Sequence, residues 1–179
     1  MVPESEDRLM RSIGEKVVYG SYGVMEIVDI REEKVMDLLR KYYVLEPVGR
    51  GSDSQTFIPV DNEQLVSQMH PLLTKNEIIE ILGAVGNMPP LKWIADNRQR
   101  SEQFKAIIES GDRAAMLTMI GSIHKTGERR NEEGKKNYLA DENAMHKAEK
   151  LLNTEFSIVL GIPEEDVPEF IRSEMEKNA

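Results

Sequence analysis

The chain contains no cysteine and only one tryptophan, and its apolar residues never gather into a long run. Without cysteine there is no disulfide framework and no thiolate metal site, which fits a reducing compartment. The apolar runs fall far short of the roughly 20 residues a helix needs to cross a bilayer. Residues 1–11 are acidic and polar with no apolar centre, so they do not read as a secretory signal. A flexible segment over 1–10 and a cytoplasmic location are expected. No Gly-x-x-x-x-Gly-Lys-Ser/Thr loop and no Gly-x-Ser-x-Gly elbow occurs, which argues against an ATP-driven motor and an esterase-type nucleophile. The three histidines are scattered. Glu142 and His146, four apart, could chelate a metal from one helix face, but no second ligand pair accompanies them, and exposed pairs at this spacing are commonplace. Glu164-Glu165-Asp166 reads as negative charge favoured at a helix N-terminus. No catalytic residue, metal, cofactor or small-molecule substrate is therefore expected.

What the chain does have is 179 residues, 40% of them hydrophobic and 31% charged, enough for one large or two small folded domains. The net charge of −9 argues against a protein that coats nucleic acid by electrostatics alone. Its distribution is uneven. From Lys92 to Lys136 there are ten Lys and Arg against seven Asp and Glu, whereas from Asn137 to Ala179 there are four against ten. A modest basic island on an acidic chain suits a protein-binding module with DNA as a second partner, although a solvated helix face explains the same charges.

Up to about Asn62 the pattern is strands and turns. Glu15–Tyr19 and Val24–Ile30 flank a Gly20–Gly23 turn, Met36–Glu46 reads as another strand, Pro47–Ser54 as a loop and Gln55–Val60 as a last strand. Closing these short strands into a small Tudor- or SH3-like β-barrel would remove their edges. Beyond Asn62 the period becomes helical. Residues 65–76 read as a linker that ends in a capping box at Thr74-Lys75-Asn76-Glu77. The first helix then carries Ile78, Ile79, Ile81 and Leu82. A second is expected from Pro89-Pro90 to Ser110, with Gly111 as its left-handed stop and Asp112 as the next N-cap. The third places Met116, Leu117, Met119, Ile120 and Ile123 inward and ends near Gly127. The fourth runs from about Asp141 to a stop at Gly161, and a short amphipathic helix over Pro163–Met175 closes the chain. The expected architecture is α+β: a Tudor-like β-domain over 11–64, then an all-α helical bundle over 77–176.

Trp93 stands out. It is preceded by Lys92 and followed by Arg98 and Arg100, and it shares a helical side with Asn97, Arg100, Ser101 and Phe104, so that stripe turns polar midway. Two readings remain open: a buried packing residue, or an exposed aromatic flanked by phosphate-binding cations that props a distorted base step from the minor groove.

Ile13–Tyr19, the Gly23-Val24 turn exit, Lys41–Leu45 and Ile58–Asn62, followed by Trp93, Ser110-Gly111-Asp112 and Ala148–Leu152, together resemble the CarD/CdnL/TRCF family. The resemblance spans nearly the whole chain. The missing nucleotide loop places it with the stand-alone transcription regulators rather than with the coupling helicase. It implies a β-domain that docks on the β subunit of RNA polymerase and a helical domain that meets promoter DNA at the upstream fork of the bubble, stabilising the open complex. It further implies Trp93 as a wedge, with Lys92, Arg98 and Arg100 on phosphates. Where family members carry basic side chains toward the polymerase, this chain has Glu33 and Phe57. Docking is therefore expected to lean on strand pairing at an exposed edge between Tyr43 and Phe57, with Leu45 in the same stretch. The protein is expected to act as a monomer. The rival reading is an adaptor that uses the β-domain for some other partner and never touches DNA.

Overall fold

The structure is a computed structural model that describes residues 10–49 and 54–177. The flexible segment expected over 1–10 therefore falls almost wholly outside the described residues, as do residues 50–53 of the expected loop. The chain divides into two compact units, 1–72 and 73–179.

In the first unit, alternation of β-branched, aromatic and polar residues builds β1 (Lys16–Tyr19), β2 (Val24–Val35) and β3 (Leu38–Pro47). A 3-10 turn over Gly20–Tyr22 joins β1 to β2. The β2–β3 turn sits at Met36 and Asp37, both with positive φ (48° and 65°), so Met36 belongs to the hairpin turn rather than to a strand. Then come β4 (Thr56–Pro59), a single-turn helix α1 (Glu63–Val66) and β5 (Met69–Pro71). The sheet order is β4-β3-β2-β1-β5, every ladder antiparallel.

The expected barrel is not closed. Among the described residues β4 and β5 occupy opposite edges with no ladder between them. Strands of four and three residues are too short to wrap around the long β2–β3 hairpin. Their brevity and their prolines, Pro59 and Pro71, shorten what the edges can pair with but do not seal the edge of β4. One face buries Val17, Tyr19, Met25, Ile27, Tyr43, Leu45 and Ile58, covered by Val66 of α1 and Met69 of β5. A bulge between Ile27 and Asp29 shifts the parity, so Ile30 rejoins that core face. The segment 65–76, expected as a linker, thus holds part of this core, a strand and the opening of the next helix. Arg11 ties the edge down: its guanidinium donates to the Met69 carbonyl at 2.6 Å and its backbone N–H to the Tyr43 hydroxyl at 3.2 Å.

The second unit opens with the expected capping box. Thr74 accepts from the Glu77 N–H at 3.2 Å, and Glu77 accepts from the Thr74 N–H at 2.6 Å, starting α2 (Lys75–Val85). Those bonds hold the Glu77 carboxyl below its ordinary range, the Thr74 backbone bond contributing most and the nearby Arg113 charge least. A carboxyl depressed in the folded state contributes stability above its unfolded pKa of about 4.3 and loses it as pH falls through the lower folded value. Glu77→Gln keeps an acceptor but cannot titrate. The stability gap between it and wild type should accordingly be largest near neutrality and close on acidification below about pH 4. Chemical denaturation across that range measures it, and a gap that widens in acid would contradict the assignment.

Residues 86–96 are not helical, and α3 runs over Asn97–Ser110 rather than from Pro89. Asp96 is the N-cap, accepting from the Gln99 N–H at 2.8 Å. Gly111, with φ of 69°, ends α3 and Asp112 caps α4 (Arg113–Glu132), both as the sequence indicates. α4 continues past Gly127 for more than a turn, because an interior glycine weakens a helix without stopping it. α5 (Leu139–Leu160) ends at left-handed Gly161, and a 3-10 turn leads into α6 (Val167–Lys177). Ile78, Leu82, Phe104, Ile108, Met116, Met119, Ile123, Leu152, Phe156 and Val167 form the core of the unit.

Candidate functional site

The sequence readings of the helical unit converge on Trp93, in the non-helical segment before α3. Its ring meets Phe104 edge-on at 6.1 Å and packs on the core with part of its surface outside, so it is half-buried. Lys92 beside it is exposed. Arg98 is 89% exposed, paired along the helix with Glu102 at 3.3 Å.

Arg100 behaves differently from the expectation of a phosphate contact. It is 1% exposed and lies against the buried Asp141 of α5, its Nε 3.0 and 3.1 Å from the two carboxylate oxygens. Its remaining nitrogens donate to the Ile94 and Ala95 carbonyls and to the Asn97 side chain. The guanidinium carbon lies 4.7 Å from the ring centroids of both Trp93 and Tyr138. With its donors committed inside the fold, Arg100 has none for DNA. It acts instead as the clamp that sets Trp93: it draws the 94–95 carbonyls inward and stacks on the indole.

The stack continues. Arg130 lies 4.0 Å from the Tyr138 centroid, donates to the Tyr138 hydroxyl at 3.1 Å and holds the Lys136 carbonyl through two nitrogens. Around it the C-terminal end of α4 and the following turn expose Lys125, Arg129, Lys135 and Lys136. The Glu133 carboxyl is held below its ordinary range there, chiefly by the Lys135 hydrogen bond and charge, with Arg129 and Arg130 adding to it. Five of the ten Lys and Arg between Lys92 and Lys136 thus lie at this end of α4 and in the turn after it, among the exposed Glu128, Glu132 and Glu133. Arg130, Tyr138 and Asp141, which no sequence motif singles out as site residues, build the surroundings of Trp93. Glu142 and His146 are drawn apart: Asn137 donates to Glu142 at 3.1 Å, while His146 pairs with Glu149 at 3.0 Å.

In the sheet unit, Tyr43 and Leu45 are 2% and 0% exposed, and β3 is paired on both sides at these residues. Neither can present a side chain or an open edge to a partner. The pleat explains why: they share the face of Val17 and Met25, whereas Phe57, one residue before the buried Ile58, points the other way. Phe57 lies on the edge strand β4, partly exposed, with its ring edge-on to Tyr42 at 6.3 Å and the Arg31 guanidinium 5.0 Å from its centroid. Arg31 in turn pairs with Glu33 at 3.1 Å. The ladder is anchored by the Val60 N–H on the Lys41 carbonyl at 3.0 Å. Its alternation turns the Thr56 and Ile58 amides toward β3 and the Phe57 amide outward. Pro59 has no N–H, so the outer edge of β4 offers the Phe57 donor and carbonyl.

Residues 12–71 match the CarD-like/TRCF RID domain family. The sheet unit belongs to that family. The RID match covers β1 through β5, and it assigns this unit an RNA-polymerase-interacting, transcription-related role. It ends where the helical unit begins, so the surroundings of Trp93 lie outside it. No curated protein matches the chain. Among the described residues, no helix is long and apolar enough to cross a membrane, and no cluster of three or more His, Asp or Glu is placed to hold a metal.

Proposed function

We propose that this protein is a non-catalytic transcription regulator. It grips the β subunit of RNA polymerase through the outer edge of β4 in the RID domain, and it steadies melted promoter DNA against the Trp93 surface of the helical unit. The observation that carries the reading is the RID match on a sheet whose edge strand turns the Phe57 amide and ring outward. Strand addition at such an edge supplies affinity through main-chain bonds and leaves specificity to the flanking Arg31, Tyr42 and Phe57 side chains. The DNA half rests on a part-exposed indole held in one pose, the exposed cations Lys92 and Arg98, and the basic end of α4. Contacts made to the opened promoter and not to intact duplex would shift the population toward the open state, and about 1.4 kcal/mol of such preference is a tenfold shift.

The test is the lifetime of open complexes formed with polymerase, scored together with association to the polymerase. Wild type should lengthen the lifetime several-fold. Trp93→Ala should bind polymerase normally and lose most of that effect. Phe57→Pro, which removes the outward donor but no bond to β3, should lose association about tenfold or more. A wild-type chain with no effect on lifetime would reject the regulatory reading, and unimpaired association of Phe57→Pro would reject the edge.

The adaptor reading has one observation in its favour, the packing of Trp93 against Phe104 and Arg100, which a purely structural tryptophan would also show. It expects polymerase or another partner to bind the RID domain while Trp93→Ala changes only stability.

A further inference from the structure

The β2–β3 hairpin runs past the rest of its sheet. Beyond Ile30 and Tyr43, which face each other on the core, five further pairs from Arg31–Tyr42 to Val35–Leu38 carry the two strands outward. Among the described residues only Tyr42 and Lys41 of these still meet the β4 segment. At about 3.3 Å per residue, the tip stands roughly 15 Å past the core. That tip is apolar: Val35, Met36, Leu38 and Leu39 are 46, 94, 73 and 73% exposed. Val35 and Leu38 lie opposite each other on the face that carries Arg31, Tyr42 and Phe57. Leu39 lies opposite Lys34 on the reverse face, and Met36 caps the end. Apolar side chains therefore surround the tip instead of lining one flat side. The turn is also strained. Met36 and Asp37 both hold the positive φ that a two-residue hairpin turn requires, a conformation that asparagine and glycine adopt most readily. A methionine so exposed gains almost no contact within the fold to offset that backbone.

We propose that this tip is an apolar knob that seats in a pocket on the β subunit of RNA polymerase, a second anchor beside the β4 edge. The inference rests on the reading that the RID domain grips that subunit, and it supplies what the edge lacks. The outer edge of β4 offers one main-chain donor and one acceptor at Phe57, and two such bonds fall far short of a micromolar complex. A stable interface covers about 800 Å² on each partner. From Phe57 the same face leads past Tyr42, Arg31, Glu33 and Arg40 to Val35 and Leu38, so a partner seated on the edge reaches the tip by extending along the ribbon. The charges on the way are already paired, Arg31 with Glu33 and Arg40 with Asp61, which leaves apolar contact to carry the affinity. Met36 at the end, unbranched and polarizable, adapts to the outline of a pocket. Two other occupants fit less well. A second copy would set one convex tip against another, well short of the area a stable dimer needs. A bilayer would have to take in Asp37, whose side chain is 93% exposed between Met36 and Leu38 and pairs with Lys34 at 2.8 Å.

Association of the full chain with the cognate polymerase holoenzyme, followed by interferometry, tests the assignment. Met36→Asn combined with Asp37→Gly installs the residue pair this turn favours and removes the cap of the knob. It should bind polymerase about tenfold more weakly while its thermal midpoint stays at or above that of wild type. Leu38→Thr combined with Leu39→Thr keeps strand propensity and should weaken binding to a similar degree. A photoreactive benzoylphenylalanine placed at Met36 should cross-link to the β subunit. Wild-type affinity in both tip variants, with Phe57→Pro impaired, would overturn the knob and leave the edge standing. Impaired tip variants beside an unimpaired Phe57→Pro would reject the edge and keep the knob. A wild-type chain that does not associate with polymerase would take down both. Cross-links to another subunit, self-association that the tip variants lose, or tip-dependent binding to anionic phospholipid vesicles would each overturn the assignment to β.

Discussion

Replacing Arg100 with alanine should destabilise the helical unit by about 3–5 kcal/mol, the range found when one partner of a buried ion pair is removed. Three losses act together. The Asp141 carboxylate, 3% exposed, is left uncompensated on the first turn of α5. The Ile94 and Ala95 carbonyls lose their donor, and the Trp93 and Tyr138 rings lose the cation between them. The penalty is mostly that of the stranded carboxylate rather than the net worth of the pair. Arg100→Ala combined with Asp141→Ala should therefore recover much of the loss in urea denaturation. Arg100→Lys should fall between, since an ammonium keeps the charge but cannot span the carboxylate, two carbonyls and Asn97 at once. Under the proposed function a consequence follows even where the variant stays folded: with the 94–95 carbonyls and the Trp93 ring released from Arg100, any gain in open-complex lifetime should fall in parallel with Trp93→Ala. A loss below about 1 kcal/mol, the level of an exposed pair, would mean that the clamp described for Arg100 is wrong.

The same residue shows where sequence reasoning stops. Arg100 stands two residues after the exposed Arg98, and nothing local separates a phosphate-seeking arginine from one that turns inward. The deciding partner, Asp141, lies 41 residues away, and no periodicity carries that distance. Helix ends were legible for the opposite reason. The Thr74–Glu77 box, Gly111-Asp112 and Gly161 are local chemistry, and each appears where the residues place it. The start of α3 was misplaced because Pro89-Pro90 suits a first turn, while Asp96 suits an N-cap equally and Arg100 recruits the carbonyls just before it. α1 and β5 are too short to establish a period, and they take their identity from tertiary partners, Val66 and Met69 on the sheet core and the β1 ladder. Tyr43 and Leu45 could have been placed correctly from sequence. Alternation puts them on one face and Tyr42 and Val44 on the other, and although Val44 is buried too, it is on that second face that the exposed Phe57, named in the sequence reading, meets Tyr42. The cavity beside Trp93 has no sequence signal except Gly127, which in the sequence reads as a helix end and in the fold clears space for Asn137.

Glu155→Ala should be nearly as costly, about 3 kcal/mol, the lower end for a broken buried pair because the Arg113 side chain keeps 11% of its surface exposed. Glu155 is 2% exposed on α5 and joins three parts of the unit. Its oxygens meet Arg113 at 2.7 and 3.0 Å, and one of them also accepts the Leu73 N–H at 3.0 Å, where the chain enters the helical unit. Arg113 passes the connection on to the Gly111 carbonyl at the α3–α4 junction. Glu155→Gln separates the contributions. The amide oxygen can still accept from Leu73, so only the charge pairing weakens, and its loss should be about half that of alanine or less. Truncation to alanine also leaves the part-buried Leu73 amide without its protein acceptor, which adds about 1 kcal/mol of its own. Urea midpoints followed by helical circular dichroism measure the series. Glutamine and alanine variants of equal stability would show that the Leu73 bond contributes nothing, and a wild-type-like alanine variant would remove Glu155 from the set of groups that join the start of the unit to α4 and α5.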